Sequence, residues 1–152
     1  MKILIFSKYA KMVDIIFDNL VAELKETKIF KVTGESKDKF ANVEEFKNYQ
    51  GNSILVASDV INFGINLECV DVVMNFDLPF THAKLTQRIG RGDRMTRTLP
   101  LLVINLITKN TIEERICEIL ETKKDLFDIA IAGEKLLIKE LFKDFEQKRG
   151  QK

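Results

Sequence analysis

Short apolar runs of strand length alternate along this chain with segments whose apolar residues recur every three or four positions. In chain order the runs read KILIF from Lys2, KIFKV from Lys28, SILVA from Ser53, VDVVMNF from Val70 and LPLLVINLI from Leu99. A continuous apolar run is typical of a strand that is buried on both faces. Strands separated by helices predict an α/β fold, in which helices cover both faces of a mostly parallel sheet of five or more strands.

The segments between and after these runs have helical periodicity. Residues 8–26 and 36–50 are predicted to be helices, the second of them around Phe40, Val43 and Phe46. A long amphipathic helix is predicted over residues 111–133, where Thr111 to Glu114 has the form of a capping box. A last helix is expected around residues 136–145. No repeat or linker divides the chain, so one domain is expected.

The composition excludes several functional classes. Lys and Arg number 24 and Asp and Glu 23, so the net charge of +1 draws the protein neither to nucleic acid nor to a membrane, and such binding needs a local patch. Cys69, Cys117 and the single His82 match no metal-ligand spacing, and no metal site or disulfide is predicted. No apolar run is long enough to span a bilayer and MKILIF is a poor signal peptide, so an intracellular protein is expected.

The stretch QRIGRGDR, residues 87–94, is the local patch. On a continuous helix Gln87, Arg91 and Arg94 share one face, while Arg88 lies on the flank and Gly92 on the inner side. A guanidinium is always charged and forks onto phosphate or carboxylate. The converging arginines therefore predict that an anionic ligand binds here. The alternative is a solvated helix face whose arginines pair with surface carboxylates.

The ligand is expected at the carboxyl ends of the parallel strands, where ligands bind in open sheets. Polar loops follow the first four strands there, and they read SKY, TGES, SDVINFGIN and DLPFTH. The chain contains neither G-x-x-x-x-G-K-[ST] nor G-x-G-x-x-G, so no loop of its own cradles a triphosphate. Another domain is therefore expected to hold the nucleotide, and the arginines to act on its phosphoryl group as arginine fingers.

Several motifs occur in an order known from one group of motor proteins. ILVASDVINFGINLECVDVVMNFDLP followed by QRIGRGDR resembles motifs V and VI of the superfamily-two helicases, and KILIFSKYAKMVDII resembles their motif IV. The form GINL and the segment LITKNTIEERICEILETKKDLFDIAIAG are most similar to the SWI/SNF-type DNA translocases, including the RapA-like branch. The resemblance implies that residues 1–152 form the second RecA-like lobe of a two-lobe motor. Its three-layer core would cover about residues 1–110, with C-terminal helices over 111–146.

The resemblance also assigns roles to residues. It implies that Arg91 and Arg94 face the ATP phosphates, that Gln87 couples the lobes, and that Gly64 and Asn66 lie at the lobe interface near the nucleotide. The positions where the family contacts the nucleic-acid backbone are Ser7, Lys8, Thr33, Gly34, Ser58 and Asp59. ATP and Mg²⁺ would be held mainly by an N-terminal lobe of the same parent chain, and double-stranded DNA would be the other partner. The isolated lobe would be inactive.

Two other readings stay open at this point. One is a free-standing binding or regulatory module that kept the fold and lost the motor. The other is a DEAD-box-like RNA helicase lobe. An upstream G-x-x-x-x-G-K-[ST] motif would favour the motor, and hydrolysis that responds only to RNA would favour the DEAD-box reading.

Overall fold

The computed structural model describes residues 1–62, 65–93 and 98–122, and every predicted strand is present there. The strands are β1 (Lys2–Ser7), β2 (Lys28–Val32), β3 (Ser53–Ser58), β4 (Val72–Asn75) and β5 (Leu102–Asn105). They form a sheet in the order β2-β3-β1-β4-β5, and each neighbouring pair is parallel. The predicted α/β class with a parallel sheet is confirmed.

The described helices follow the strands as the periodicity predicts. They are α1 (Ala10–Glu23), α2 (Lys39–Asn48), α3 (His82–Ile89) and α4 (Ile112–Thr122), with a short 3-10 helix at Asp59–Asn62 directly after β3. The remainder of the helix predicted over 111–133, and the last predicted helix, lie outside the described residues. None of the helices within the described ranges is long and apolar enough to cross a membrane.

The chain divides into two compact units. The first comprises Met1–Asp77 with Gln87–Leu106 and contains the whole described sheet, and the second comprises Leu78–Thr86 with Ile107–Lys152. In the second unit Leu78, Ile116 and Leu120 form a buried apolar cluster. The boundary predicted at about residue 110 stays a prediction.

Both faces of the sheet in the first unit are covered by a helix. Successive residues of a strand point to opposite faces. Accordingly Leu4 of β1 packs in a cluster with Val43 and Phe46 of α2, and the next residue, Ile5, packs with Val13 of α1. The central strands β1, β3 and β4 are therefore largely buried on both sides, which is why they read as continuous apolar runs, whereas no residue of β5 is buried in the described structure.

The helix predicted around Phe40, Val43 and Phe46 is present as α2, but these three side chains do not share one buried face. Phe40 is 74% exposed, whereas Val43 and Phe46 are buried. At about 100° per residue, a spacing of three falls short of a full turn by roughly 60°, so two such steps carry Phe40 away from the stripe.

Candidate functional site

The loop that follows α3 is not helical, so the predicted arrangement of QRIGRGDR on one helix is wrong. Helix α3 ends at Ile89, and the backbone N–H groups of Gly92 and Asp93 both donate to the Ile89 carbonyl, at 3.0 and 3.1 Å. The N–H of Arg91 donates to the Arg88 carbonyl at 3.2 Å. Gln87 is exposed on the last turn of α3 and Arg91 lies in the turn, so the two do not share a helix face. Arg94 and Gly64 lie outside the described residues.

Arg88 is fully buried, and the expectation that it lies on a helix flank is therefore wrong. Its Nε donates to Oδ1 of Asp59 at 2.7 Å. Its Nη1 donates to Oδ1 of Asn75 at 3.2 Å and to the Asp77 carbonyl at 2.8 Å. The guanidinium also lies over the Phe6 ring, 5.3 Å from its centroid. A buried charge requires such partners, because an unpaired ion loses its hydration at a cost of several kcal/mol.

Asp77 extends these contacts to the end of β1. Its carboxylate accepts hydrogen bonds from the Ser7 hydroxyl and, at 2.9 Å, from the backbone N–H of Lys8. We call Ser7, Asp59, Asn75, Asp77 and Arg88 the Arg88 cluster. It joins the carboxyl ends of β1, β3 and β4, which lie side by side in the sheet.

Arg91 is held in a different way. Its Nη1 donates to the Ile65 carbonyl at 3.2 Å, and its own carbonyl accepts from the N–H of Leu67 at 2.9 Å. Within the described residues Arg91 pairs with no carboxylate, and its buried Nε makes no hydrogen bond. The alternative of an arginine neutralised by a surface carboxylate therefore does not describe Arg91 in this part of the chain.

Asn66 lies in the segment that contacts Arg91. It is half-buried, its Nδ2 donates to Oε1 of Glu68 at 2.7 Å, and its Oδ1 accepts from the Glu68 N–H at 3.2 Å. These local hydrogen bonds close a turn of the kind that asparagine favours. Asn66 is thereby fixed beside Ile65 and Leu67, the residues that hold Arg91.

The residues predicted to contact nucleic acid follow neighbouring strands at one edge of the sheet. Ser7 and Ser58 are paired in register at the ends of β1 and β3, and Thr33 follows β2. The N–H of Thr33 donates to Oγ of Ser36 at 2.9 Å, and Gly34 is exposed. The Ser58 hydroxyl is buried and has no hydrogen bond within the described ranges. Asp59 also lies at this edge, with its carboxylate on Arg88, and the nucleic-acid roles stay predictions.

Gly92 lies where a side chain does not fit. A Cβ atom at Gly92 would lie 2.7 Å from Cγ2 of Val70 and 3.2 Å from Cδ1 of Leu101. Val70 is fully buried, and its branched side chain is stiff. The loop carrying Arg91 therefore depends on a glycine to pack closely.

The substitution Gly92→Ala is expected to lower the free energy of unfolding by about 1–3 kcal/mol, the usual cost of overpacking. Urea unfolding followed by circular dichroism measures it. Gly34→Ala is the matched control, because its Cβ would meet Val60 at an ordinary 3.5 Å, and its expected change is close to zero. Equal stabilities for the two variants would contradict the close packing.

Both cysteines are half-buried thiols with low reactivity. Burial raises the pKa of the Cys69 thiol above its ordinary value. Burial, together with the negative charge of Glu121, raises the pKa of the Cys117 thiol. The thiolate is the nucleophile and the metal ligand, so neither cysteine is suited to those roles at neutral pH. The described residues contain no group of three His, Cys, Asp or Glu side chains that could hold a metal ion.

The part of the chain that contains β1 to β4 and α3 matches a known protein family. The family described as "Helicase conserved C-terminal domain" matches residues 1–96. The chain belongs to this family. The helicase C-terminal domain is also similar to proteins described as ATP-dependent helicases. One from Mycoplasma pneumoniae is 31% identical over 126 residues, and ATP-dependent helicase fft1 of Schizosaccharomyces pombe is 32% identical over 133 residues.

These relatives are much longer than this chain. The matches cover 82% of this chain, but only 12% of the Mycoplasma protein and 13% of fft1. The human chromatin-remodeling ATPase INO80 is 27% identical over 135 residues, which is 87% of this chain and 8% of INO80. The predicted resemblance to ATP-dependent helicases of the SWI/SNF type is confirmed by these matches.

Solved structures share the fold of the helicase C-terminal domain. The C-terminal part of the Fun30 ATPase domain has a TM-score of 0.75 at 25% identity, over 96% of this chain and 48% of that one. Domain 2 of the DEAD-box helicase Mss116p, solved with an RNA duplex, has a TM-score of 0.71 at 25% identity, over 82% of this chain and 48% of that one. The predicted RecA-like architecture is confirmed.

Proposed function

We propose that this chain is the second motor lobe of an ATP-dependent nucleic-acid translocase, and that it supplies arginine fingers for ATP hydrolysis. The observation that carries the proposal is the state of Arg91. Its guanidinium is held by the Ile65 carbonyl, makes no pair with a carboxylate within the described residues, and keeps a buried Nε without a hydrogen bond. Such a fixed and unneutralised guanidinium fits an anionic phosphoryl group.

The roles proposed for the neighbouring residues follow the resemblance to the helicase motifs. Arg91 would fork onto the terminal phosphoryl group, where added positive charge stabilises the transition state. Arg94 is proposed as the second finger, and Asn66 and Gly64 would face the same nucleotide across the lobe interface. Gln87, exposed at the end of α3, would contact the other lobe. Bound ATP with Mg²⁺ supplies the phosphoryl group to be transferred.

The phosphate loop and the metal are proposed to belong to an N-terminal lobe of the same parent chain. This chain carries no G-x-x-x-x-G-K-[ST] motif. P-loop enzymes hold Mg²⁺ through the Ser or Thr of that motif and an aspartate of the Walker B motif. A lobe that supplies only the fingers is inert alone, because the charge it neutralises is bound elsewhere. The isolated chain is therefore expected to lack ATP hydrolysis.

A nucleic-acid backbone is the proposed second ligand of the sheet edge. Thr33, Gly34, Ser58 and Lys8 offer hydroxyl, amide and ammonium donors there, and such donors grip phosphates without reading bases. The side chain of Ser7 contributes by fixing the β1 loop, since its hydroxyl donates to Asp77. Double-stranded DNA is the proposed substrate, supported by the similarity to SWI/SNF-type ATPases such as INO80, a chromatin-remodeling ATPase.

The proposal is tested by joining this chain to the lobe that precedes it in its parent polypeptide. ATP hydrolysis is measured for each lobe alone and for both together, with double-stranded DNA, with RNA and with no nucleic acid. Hydrolysis that requires both lobes and rises with double-stranded DNA is expected. Equal hydrolysis by the first lobe alone would show that this chain supplies no fingers.

A second candidate is a DEAD-box-like RNA helicase lobe, favoured by the likeness to the RNA-bound domain of Mss116p. It predicts stimulation by RNA and none by double-stranded DNA in the same assay. A free-standing module that lost the motor predicts no hydrolysis in any combination, together with retained nucleic-acid binding.

A further inference from the structure

The Arg88 cluster is more elaborate than the stability of the sheet requires. Arg88 is fully buried, and its donors reach two segments of the chain, Asp59 after β3 and Asn75 with the carbonyl of Asp77 at the end of β4. A buried ion pair often contributes no more stability than well-packed apolar side chains of the same size. What the guanidinium adds is geometry, because its planar fork fixes the relative positions of the groups that it binds.

The cluster lies between the two parts of the proposed site. On one side Asp59 directly follows Ser58 in the β3 loop, and Asp77 accepts from Ser7 and from the Lys8 N–H in the β1 loop. On the other side the carbonyl of Arg88 accepts from the N–H of Arg91 at 3.2 Å. All of these residues belong to the first compact unit. The side chain of Arg88 therefore contacts the β3 loop directly, through Asp59, and reaches the β1 loop only through Asp77. Its backbone carbonyl contacts the loop that carries Arg91.

One hydrogen bond of the cluster is not made. Nη2 of Arg88 is buried and lies 3.7 Å from Oδ1 of Asp77, too far for a hydrogen bond. The same Oδ1 accepts from the Lys8 N–H at 2.9 Å. A phosphate that took over the Lys8 N–H would release this oxygen to Arg88. The cluster can thus adopt a second arrangement, in which Nη2 of Arg88 donates to Oδ1 of Asp77 while Nη1 still donates to the Asp77 carbonyl.

We propose that Arg88 is a positioning residue that couples nucleic-acid contact at the β1 and β3 loops to the orientation of Arg91. The inference rests on the proposed function. When a phosphate backbone binds to the β1 and β3 loops, Asp59 and Asp77 move and the guanidinium of Arg88 moves with them. The carbonyl of Arg88 then moves as well, and it shifts Arg91 through the hydrogen bond from the Arg91 N–H. Nucleic acid would then stimulate hydrolysis by placing the finger, with Arg88 remote from the nucleotide.

The test compares two substitutions of Asp59 in the two-lobe ATPase. Asp59→Ala removes the acceptor of the Arg88 Nε, whereas Asp59→Asn removes only the charge and keeps an oxygen that can accept the same hydrogen bond. The ratio of DNA-stimulated to basal turnover is expected to fall about tenfold or more in Asp59→Ala, because small misplacements of a catalytic group are costly. Asp59→Asn is expected to restore most of the ratio.

DNA affinity separates this role from a direct contact. Both substitutions remove a negative charge near the proposed phosphate path, so the dissociation constant for double-stranded DNA should stay equal or become tighter. The matched control is Asp14→Ala, which removes an exposed carboxylate paired with Lys31 at 2.7 Å on α1 and should leave the ratio as in the original protein.

Three outcomes would overturn the inference. They are an unchanged ratio in Asp59→Ala, an equal loss in Asp59→Ala and Asp59→Asn, and a parallel fall of basal and stimulated turnover, which marks a merely structural role. If Asp59→Ala does not fold, Ser7→Ala asks the same question without a change of charge, and an unchanged ratio there overturns the inference equally. If the unsubstituted two-lobe protein shows no stimulated hydrolysis, the proposed function itself fails.

Discussion

Replacing Arg91 by alanine is expected to lower the DNA-stimulated turnover of the two-lobe ATPase by about a thousandfold, the contribution typical of an arginine finger. The loss should appear in kcat, with little change in the KM for ATP, because a finger acts on charge that develops in the transition state. Steady-state hydrolysis over a range of ATP concentrations measures both constants.

The same variant should remain folded. In the described residues the Arg91 side chain makes one hydrogen bond, to the Ile65 carbonyl, and an ordinary bond of this kind contributes about 1 kcal/mol. Arg91→Lys keeps the charge but loses the planar fork, so it should recover only part of the activity. A small loss of turnover in Arg91→Ala, with DNA stimulation intact, would remove Arg91 from the proposed mechanism.

The sheet could be predicted from sequence because burial on both faces leaves a local signature. Each of the predicted runs overlaps a strand of the described structure, and the segments KILIF and KIFKV match β1 and β2 to within a residue. The side chains that pack against these strands are apolar, and any apolar neighbour produces the same sequence pattern. The strands could therefore be predicted without knowing which residues are in contact.

The arginine-rich stretch could not be predicted in the same way, because its conformation depends on partners distant in sequence. A continuous helix was expected through Gly90 and Gly92, but Leu67 pairs with Arg91 and Val70 packs against Gly92. Arg88 was expected on a flank for the same reason. A usable signal was present, since Asp59 and Asp77 follow the third and fourth strands closely and bring carboxylates to the same edge of the sheet as the arginines.

Replacing Arg88 by methionine is expected to lower the free energy of unfolding by about 3–5 kcal/mol, because it leaves the buried carboxylate of Asp77 and the half-buried carboxylate of Asp59 without their counter-charge. Methionine is about as long as the aliphatic part of the arginine side chain. The loss of stability therefore reflects the missing guanidinium more than an unfilled cavity. Asp77 is buried, and its carboxylate also accepts hydrogen bonds from the Ser7 hydroxyl and the Lys8 N–H. It cannot turn to solvent without breaking those hydrogen bonds. Urea unfolding of the isolated chain measures the loss.

A surface arginine provides the comparison for Arg88→Met. Arg115 pairs with Glu118 at 2.7 Å one turn along α4, and both side chains are partly exposed, 38% and 57%, so Arg115→Met should cost less than about 1 kcal/mol. Adding Asp59→Asn to Arg88→Met should recover part of the lost stability, because one of the uncompensated charges is then gone. If Arg88→Met costs no more than Arg115→Met, the carboxylates find other partners without Arg88, and the stability of this edge does not depend on its guanidinium.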